Sequence, residues 1–597
     1  MTTQNIPQIF LRSVEKYNQR PCFRFKKEGK WKTLTWTQVY ERVRLIALGL
    51  KALGVQEGDR VAVFAATCLE WTLCDLAILS TGAVTVPVYQ SSTSEQASYI
   101  LRHSGAHFIF VGSDPLYEKI LSVKGDLPDL QRIILISGTR EKEEGVVSLG
   151  ALQAAGEECD EAANASWRKG IDRIRSRETA TIVYTSGTTG PPKGVELTHG
   201  NFLVEIDGLF HLFEMHPGDV SILFLPLAHI MARVIQFLQI QAGFAHAYAE
   251  IGETLIDEIG EIRPHFLAAV PRLFEKAYES VHKKVEMSSP MKKGFFAWAV
   301  AIGQEISKKK QGKKNVGPLL RLRGWIADLL LFRKVRRIFG GRVRFVVSGG
   351  APLSRQIAEF FHAAGLLILE AYGLTETTGA IYVNTPEDFR FGTVGKRLDG
   401  MVVKIASDGE IMTRGPTLFQ GYYKDPERTR RVLMSDGWFK TGDIGEIDPD
   451  GYLKITDRKK DIIVTAGGKN VAPQNIENLL KTIPFISQVV VHGDQRKYLT
   501  ALVTLNEEPV SEFAKREGIS YSQFKELARH PRVFEILKRA IEEKNGELAS
   551  FETIKRFAIL EDDFTEEAGE LTPTLKVKRK FVNQKYRNVL DHLYQEE

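Results

Sequence analysis

Short apolar runs alternating with helical stretches recur from about residue 35 onward, and that alternation restricts the chain to sheets covered by helices on both faces. Thr35 and Gln38 have the spacing of a capping box, and Val39, Val43, Ile46, Leu50 and Leu53 then fall on one helical face until Gly54 ends it. Apolar runs follow at Arg60 to Ala65, Ala83 to Val88 and His107 to Val111. The rhythm returns around Arg344 to Val347 and Leu366 to Glu370, so the large N-terminal part is expected to be an α/β body of more than one subdomain. A chain of 597 residues exceeds what one hydrophobic core supports, and no tandem repeat divides it.

A change of texture falls near Asp457. Before it, DGWFKTGDIGEIDPDGYLKI reads as short strands joined by Asp-Gly turns. After it come the charged run Asp457 to Asp461, expected as an exposed linker, then a strand at Ile462 to Val464 and an amphipathic helix from Pro473 to Leu480. A strand at Gln488 to Val491 and a lysine-rich end follow. This second part has the size of an independent α+β domain.

A formal charge of +6, from 80 basic against 74 acidic residues, gives no electrostatic footprint for nucleic acid. Cys22, Cys68, Cys74 and Cys159 are scattered, without a metal-binding or disulfide pattern. The N-terminus lacks a basic n-region and apolar core, and no apolar run approaches a bilayer span, so the expectation is a cytoplasmic protein, at most peripheral on the inner face of a membrane. From about His282 to Arg344, Lys and Arg clusters mix with Phe295, Phe296, Trp298, Trp325 and the run Leu329 to Phe332. Two readings stand: a helix lying on an anionic membrane surface, and a charged insertion packed on the body.

The chemistry is concentrated in Tyr184 to Gly194, YTSGTTGPPKG, which follows the strand-like Ala180 to Tyr184. Successive N–H groups in a Gly-rich turn form an anion-binding concavity; Ser186, Thr188 and Thr189 add hydroxyls and Lys193 a positive charge. Pro192 before Lys193 and Gly194 after it exclude a Walker P-loop. Ser348-Gly349-Gly350-Ala351-Pro352 places small residues at the carboxyl end of a strand, where open α/β sheets bind ligands. Ala371 to Thr377, AYGLTET, offers an aromatic face at Tyr372, a hydroxyl at Thr375 and a carboxylate at Glu376 suited to magnesium held jointly with phosphates. Thr441-Gly442-Asp443 supplies an acceptor for ribose hydroxyls, and Arg458 a donor.

Together YTSGTTGPPKG, AYGLTET, GWFKTGD, DRKKD and the lysine of TPTLKVKRK resemble, in order and over nearly the whole chain, the adenylate-forming (ANL) superfamily, within it the long-chain and bubblegum-type fatty acyl-CoA synthetases. The resemblance implies a large N-terminal domain (1–456) with the ATP and acyl sites, a hinge (457–460) with Lys460 at its pivot, and a small mobile C-terminal domain (461–597). It implies ATP, Mg²⁺ and coenzyme A as cofactor and co-substrates, and a fatty acid activated as acyl-AMP before transfer to the thiol. Lys576 would bridge carboxylate and α-phosphate, and Thr185 and Glu376 would hold Mg²⁺. The nucleotide would be bound by Thr185, Ser186, Gly187, Thr188, Thr189, Gly190 and Lys193, by Gly349, Gly350 and Ala351, by Tyr372, Gly373 and Thr375, and by Asp443 and Arg458. His229 falls where the family places an aromatic beside the acyl pocket, and Val234, Phe237 and Leu238 follow as candidate tunnel wall or helix core. The rivals are a fatty acyl-AMP ligase or an adenylation enzyme loading a carrier protein and, from another class, a non-catalytic lipid or nucleotide sensor on the same scaffold. Retention of Lys576 and Glu376 speaks against the last.

Overall fold

The structure, a computed structural model, describes residues 4–140, 143, 145–185, 191–250, 252, 254–286, 288–572 and 576–595. Two large mixed sheets organise the N-terminal part. The first has eight strands in the order Gly421–Tyr422, Lys193–Thr198, Thr179–Thr185, Val84–Val88, Arg60–Phe64, Phe108–Val111, Arg132–Leu135 and Val146–Ser148. The second has nine, in the order Lys396–Arg397, Gly379–Val383, Leu367–Leu374, Phe345–Ser348, Phe266–Ala269, Val220–Leu223, Ala245–Tyr248, Pro21–Lys27 and Lys30–Thr35. The central pairings of both are parallel, so these strands are buried on both faces and read as unbroken apolar runs. The expected capping box forms: Gln38 N–H donates to Thr35 Oγ1 and Thr35 N–H to Gln38 Oε1, starting the helix Trp36–Ala52.

The strand before the Gly-rich turn, Thr179–Thr185, is interior rather than marginal, flanked by Val84–Val88 and Lys193–Thr198. Thr185 pairs with Lys193 across an antiparallel hairpin, so the turn leaves the carboxyl end of an inner strand. A separate antiparallel sheet, Val402–Ile405, Glu410–Arg414, Phe439–Ile447 and Leu453–Arg458, carries the Asp-Gly turns.

One hydrophobic cluster runs through both large sheets from Ile6 to Leu453, and the clusters of the C-terminal part begin at Ile463. That part has a three-stranded sheet, Ile486–His492, Leu499–Leu505 and Ile554–Leu560, with the expected helix at Pro473–Leu480. The charged run is not a solvated linker throughout. Asp457 is buried, with burial raising its carboxyl pKa to about 6, and it accepts from Gln474 N–H at the start of that helix. Lys459 is tied to Asp408 at 2.7 Å and Glu410 at 2.9 Å. The run finishes a strand and turns back on it, with Asp461 and Ile462 N–H both donating to Arg458 C=O. The two parts also touch elsewhere: Lys283 pairs with Glu508 and Glu512, and Asn506 donates to Glu279.

Candidate active site

A cleft of about 2580 Å³ opens at the carboxyl ends of the strands Phe345–Ser348 and Leu367–Leu374, between the two parts of the chain. This is where an open α/β sheet leaves room for a ligand. Thr185, Lys193, Gly349, Gly350, Ala351, Tyr372, Gly373, Thr375, Glu376, Asp443, Arg458, Lys460, Lys576 and His229 all line it. Ser186, Gly187, Thr188, Thr189 and Gly190 lie outside the described residues.

Glycine is required here for approach as much as for φ. A Cβ on Gly373 would meet Gly379 C=O at 1.5 Å, and one on Gly349 would meet Met231 Sδ at 2.9 Å; Gly350 sits at φ +84°. Gly373 and Gly349 therefore let their strand ends pack directly against Gly379 and Met231 with no side chain between.

Tyr372 donates to Asp443 Oδ2 at 2.7 Å, and Arg458 Nε lies 3.0 Å from Asp443 Oδ1. Asp443 and Arg458 are register partners on adjacent strands, so this pair is set by backbone pairing. Burial, then the Asp443 carboxylate, raises the Tyr372 phenol well above its ordinary pKa and keeps it a donor. On the opposite side Tyr422 donates to Glu376 Oε1 at 2.8 Å, and Lys193 Nζ stands 4.9 Å over the Tyr422 ring. Tyr422 thus couples the lysine of the Gly-rich hairpin to the carboxylate of AYGLTET. Sequence reasoning missed it; its only signal is position, since Tyr422 pairs with Val195 as an added edge strand.

Lys576 enters from the C-terminal part. It keeps access to solvent through the cleft but is surrounded by protein on most sides, and that enclosure, followed by the charges of Arg458 and Lys460, lowers its pKa to about 8 against the opposing pull of Asp443. His229 caps the helix Ile230–Ala242, Nδ1 accepting from Met231 N–H at 3.2 Å; burial, then nearby Lys576, lowers its pKa to about 4 and keeps the ring neutral. Lys460 is likewise lowered, by burial and then by Arg458. A second missed group is Glu370, buried, raised to about 7 by desolvation and accepting from Leu353 N–H at 3.1 Å.

Beyond His229 the cleft continues along one face of the nine-stranded sheet, lined by Leu209, Phe213, Val234, Leu238, Phe266 and Phe345. Val234 and Leu238, four apart, share the helix face turned to it, whereas Phe237 turns into the core against Phe202 at 4.9 Å. Phe213, Phe345 and Phe266 stack in sequence at 5.0 and 5.4 Å toward the amino ends of the strands. Among the described residues no cluster of three or more His, Cys, Asp or Glu gathers to hold an ion with protein groups alone. The donor set of one carboxylate, Glu376, and one hydroxyl, Thr185, fits Mg²⁺, which takes much of its shell from phosphates and water.

Glycines at the strand ends, an acidic acceptor paired with an arginine and a lysine reaching in from a second body define a site of the adenylate-forming kind. The chain belongs to the AMP-binding enzyme family: the model of that family matches residues 10–423, and that of the AMP-binding enzyme C-terminal domain matches residues 460–597. It is 38% identical over 573 residues to the long-chain-fatty-acid–CoA ligase FadD15 of Mycobacterium bovis, covering 96% of this chain and 94% of that one. It is 32% identical over 628 residues to the long-chain-fatty-acid–CoA ligase ACSBG2 of Homo sapiens, covering 99% and 93%. Among solved structures the fold is similar to that of the anthranilate CoA ligase AuaEII in complex with anthranoyl-AMP (TM-score 0.75, 18% identity, 99% of each chain). It is similar also to the adenylation domain of a carboxylate reductase from Mycobacterium chelonae (TM-score 0.80, 22% identity, 100% and 92%).

Proposed function

We propose that the chain is an AMP-forming long-chain fatty acid:CoA ligase. The observation that carries this reading is Lys576, delivered by the C-terminal part into the cleft that holds Tyr372, Asp443 and Arg458 and leads past His229 into an apolar passage. A carboxylate oxygen attacks the α-phosphorus of ATP, the bond to the β-phosphate breaks and pyrophosphate leaves. The thiol of coenzyme A then attacks the acyl carbonyl, AMP departs with its electron pair, and the thiol proton is lost to solvent. The first step brings two anions together, so the ammonium of Lys576 between carboxylate and phosphate lowers its barrier, with Lys193 on the far side of the phosphates. Tyr372 lies on the adenine, Asp443 accepts from the ribose, and Thr185 and Glu376 hold Mg²⁺, which neutralises phosphate charge when bound. Neutral His229 closes the mouth of the acyl passage without adding charge to it. In this reading Lys460 is the pivot about which residues 461–597 turn between the half-reactions, and the protein works in the cytoplasm against a membrane surface.

Pyrophosphate release across a fatty acid series, with and without coenzyme A, tests the proposal. Turnover on long chains that requires coenzyme A and yields acyl-CoA supports it. A single burst of pyrophosphate indifferent to coenzyme A, with acyl transfer to a carrier protein, would make the chain an acyl-AMP ligase instead.

A further inference from the structure

The segment from residue 318 to 338 is one helical rod: an α-helix Pro318–Ala327, a π-helical turn Asp328–Phe332 and a final turn Arg333–Ile338. Its inner side is satisfied. Leu320, Ala327, Phe332 and Val335 are buried, and Gly324 lets the rod approach the helix Pro290–Gln311, where a Cβ would meet Ile306 at 2.4 Å. Its outer side is not. Leu319, Leu322, Trp325, Leu329 and Leu330 are 61, 54, 58, 42 and 50% exposed; the first four recur at the three- and four-residue steps that place them on one face, and Leu330 adjoins Leu329 in the π-helical turn. A contiguous exposed apolar stripe of this kind marks an interaction site.

Basic residues frame the stripe. Between residues 290 and 344 the chain has fifteen Lys and Arg against only Glu305 and Asp328, although the whole protein is nearly balanced. Asp328 is itself paired with Arg336 at 2.5 Å and Arg333 at 3.3 Å. Arg321, Arg323, Arg333, Lys334 and Arg337 are all exposed around the apolar residues. A twofold contact with a second copy would set this cationic rim against itself, because an isologous interface places the same patch on both sides. An anionic lipid surface accepts both halves of the pattern at once.

We infer that the outer face of residues 318–338 docks on an anionic lipid bilayer, with Leu319, Leu322, Trp325, Leu329 and Leu330 entering the headgroup–acyl boundary and the flanking Arg and Lys lying among the headgroup phosphates. The rod packs on Pro290–Gln311, which packs on the helix Arg355–Ala363, and Arg355, Gln356 and Glu359 of the latter border the cleft. The docking face is thus two helix layers from the site, on a body that handles an apolar substrate in the ligase reading, yet the inference needs no activity to be tested.

Sedimentation of the full chain with phosphatidylcholine vesicles, with and without phosphatidylserine, is the test. Binding is expected only with phosphatidylserine, lost at high salt and accompanied by a blue shift of tryptophan fluorescence that Trp325→Phe diminishes. Each basic residue removed costs about fivefold in partitioning, so the triple neutralisation Arg333→Gln, Lys334→Gln, Arg337→Gln lowers it about a hundredfold, and reversal of the same three to Glu lowers it further. Leu322→Glu with Trp325→Glu abolishes binding while leaving the melting temperature unchanged, since both side chains are exposed. Equal binding to neutral vesicles, or indifference to all these changes, overturns the inference. So does a dimer in light scattering that Leu322→Glu dissociates, which would assign the face to a second copy.

Discussion

Tyr372 donates its hydroxyl to one oxygen of Asp443 at 2.7 Å while Arg458 holds the other at 3.0 Å, so a carboxylate assigned to a ribose is already gripped from both sides by the protein. A carboxylate accepts at about four lone-pair sites, so it can receive sugar hydroxyls without releasing either partner. The grip pre-orients it and fixes the plane of the Tyr372 ring.

Removing only the hydroxyl separates these roles. Tyr372→Phe keeps the aromatic face but takes a hydrogen bond from a buried carboxylate, worth about 1.5–3 kcal/mol. We expect KM for ATP in pyrophosphate exchange to rise about ten- to a hundredfold with a smaller fall in kcat. An unchanged KM would show that the Asp443 grip is structural alone.

Lys576→Ala is expected to slow adenylation by about 10²-fold or more, from roughly 3 kcal/mol of lost transition-state stabilisation, and largely to spare conversion of supplied acyl-AMP to thioester. The pH dependence follows from its lowered pKa. The ammonium is the working form, so kcat/KM for adenylation falls as pH rises through about 8, and Lys576→Arg carries that limb to higher pH. The stability effect has the opposite sign: the folded state binds this proton less tightly than the unfolded one, so the penalty is present below about 8 and is relieved as pH rises toward the ordinary lysine range. Equal loss in both half-reactions would make Lys576 a structural residue.

Asp75 and Arg233 form a fully buried pair at 2.7 Å, completed by Gln236 on Asp75 and Thr181 on the guanidinium. It ties the helix that lines the apolar passage to the strand Thr179–Thr185. Arg233→Met alone strands a buried carboxylate and is expected to cost about 3–5 kcal/mol, read as a lowered denaturation midpoint; Asp75→Leu with Arg233→Met should recover most of it. A single variant as stable as the parent would show that water reaches Asp75.

The contrast between that pair and the motifs shows what the sequence makes legible. The capping box at Thr35, the helix Pro473–Leu480 and the strand leading into the Gly-rich segment are local, each written within a dozen residues whose backbone chemistry admits few alternatives. Asp75 and Arg233, Tyr422 on Glu376 and the stacked Phe213, Phe345 and Phe266 are contacts between distant segments. Their side chains are ordinary in their own windows, and only sheet order brings them together. Asp457 fails for the same reason: inside a charged run it reads as solvated, and it is buried because a strand and a helix start meet there.

Lys460→Pro tests the proposed pivot. A fixed φ in the turn joining the two parts should leave adenylation intact and slow thioester formation if, as proposed, the first half-reaction uses the arrangement with Lys576 in the cleft and the second a turned small domain. Single-turnover measurements of each half-reaction check this; an unaffected second step would remove Lys460 from the hinge.

The apolar passage makes chain length a quantitative test. It follows the strands from Gly349 toward Phe345, four residues or about 13 Å at the usual rise, before the stack of Phe213, Phe345 and Phe266. A zigzag of carbon–carbon bonds of ~1.5 Å advances about 1.3 Å per methylene, so about ten methylenes reach that layer. Each one moved out of water contributes about 0.8 kcal/mol, or roughly fourfold in apparent affinity. We expect kcat/KM to climb steeply from octanoate and to bend near the length at which the tail meets the aromatic layer, measured below the critical micelle concentration so that aggregation does not imitate the bend. Phe266→Leu should move the bend to longer chains, since it thins the layer without opening a large cavity. Best activity on acetate or propionate, with palmitate inert, would overturn the long-chain assignment and leave adenylate formation standing.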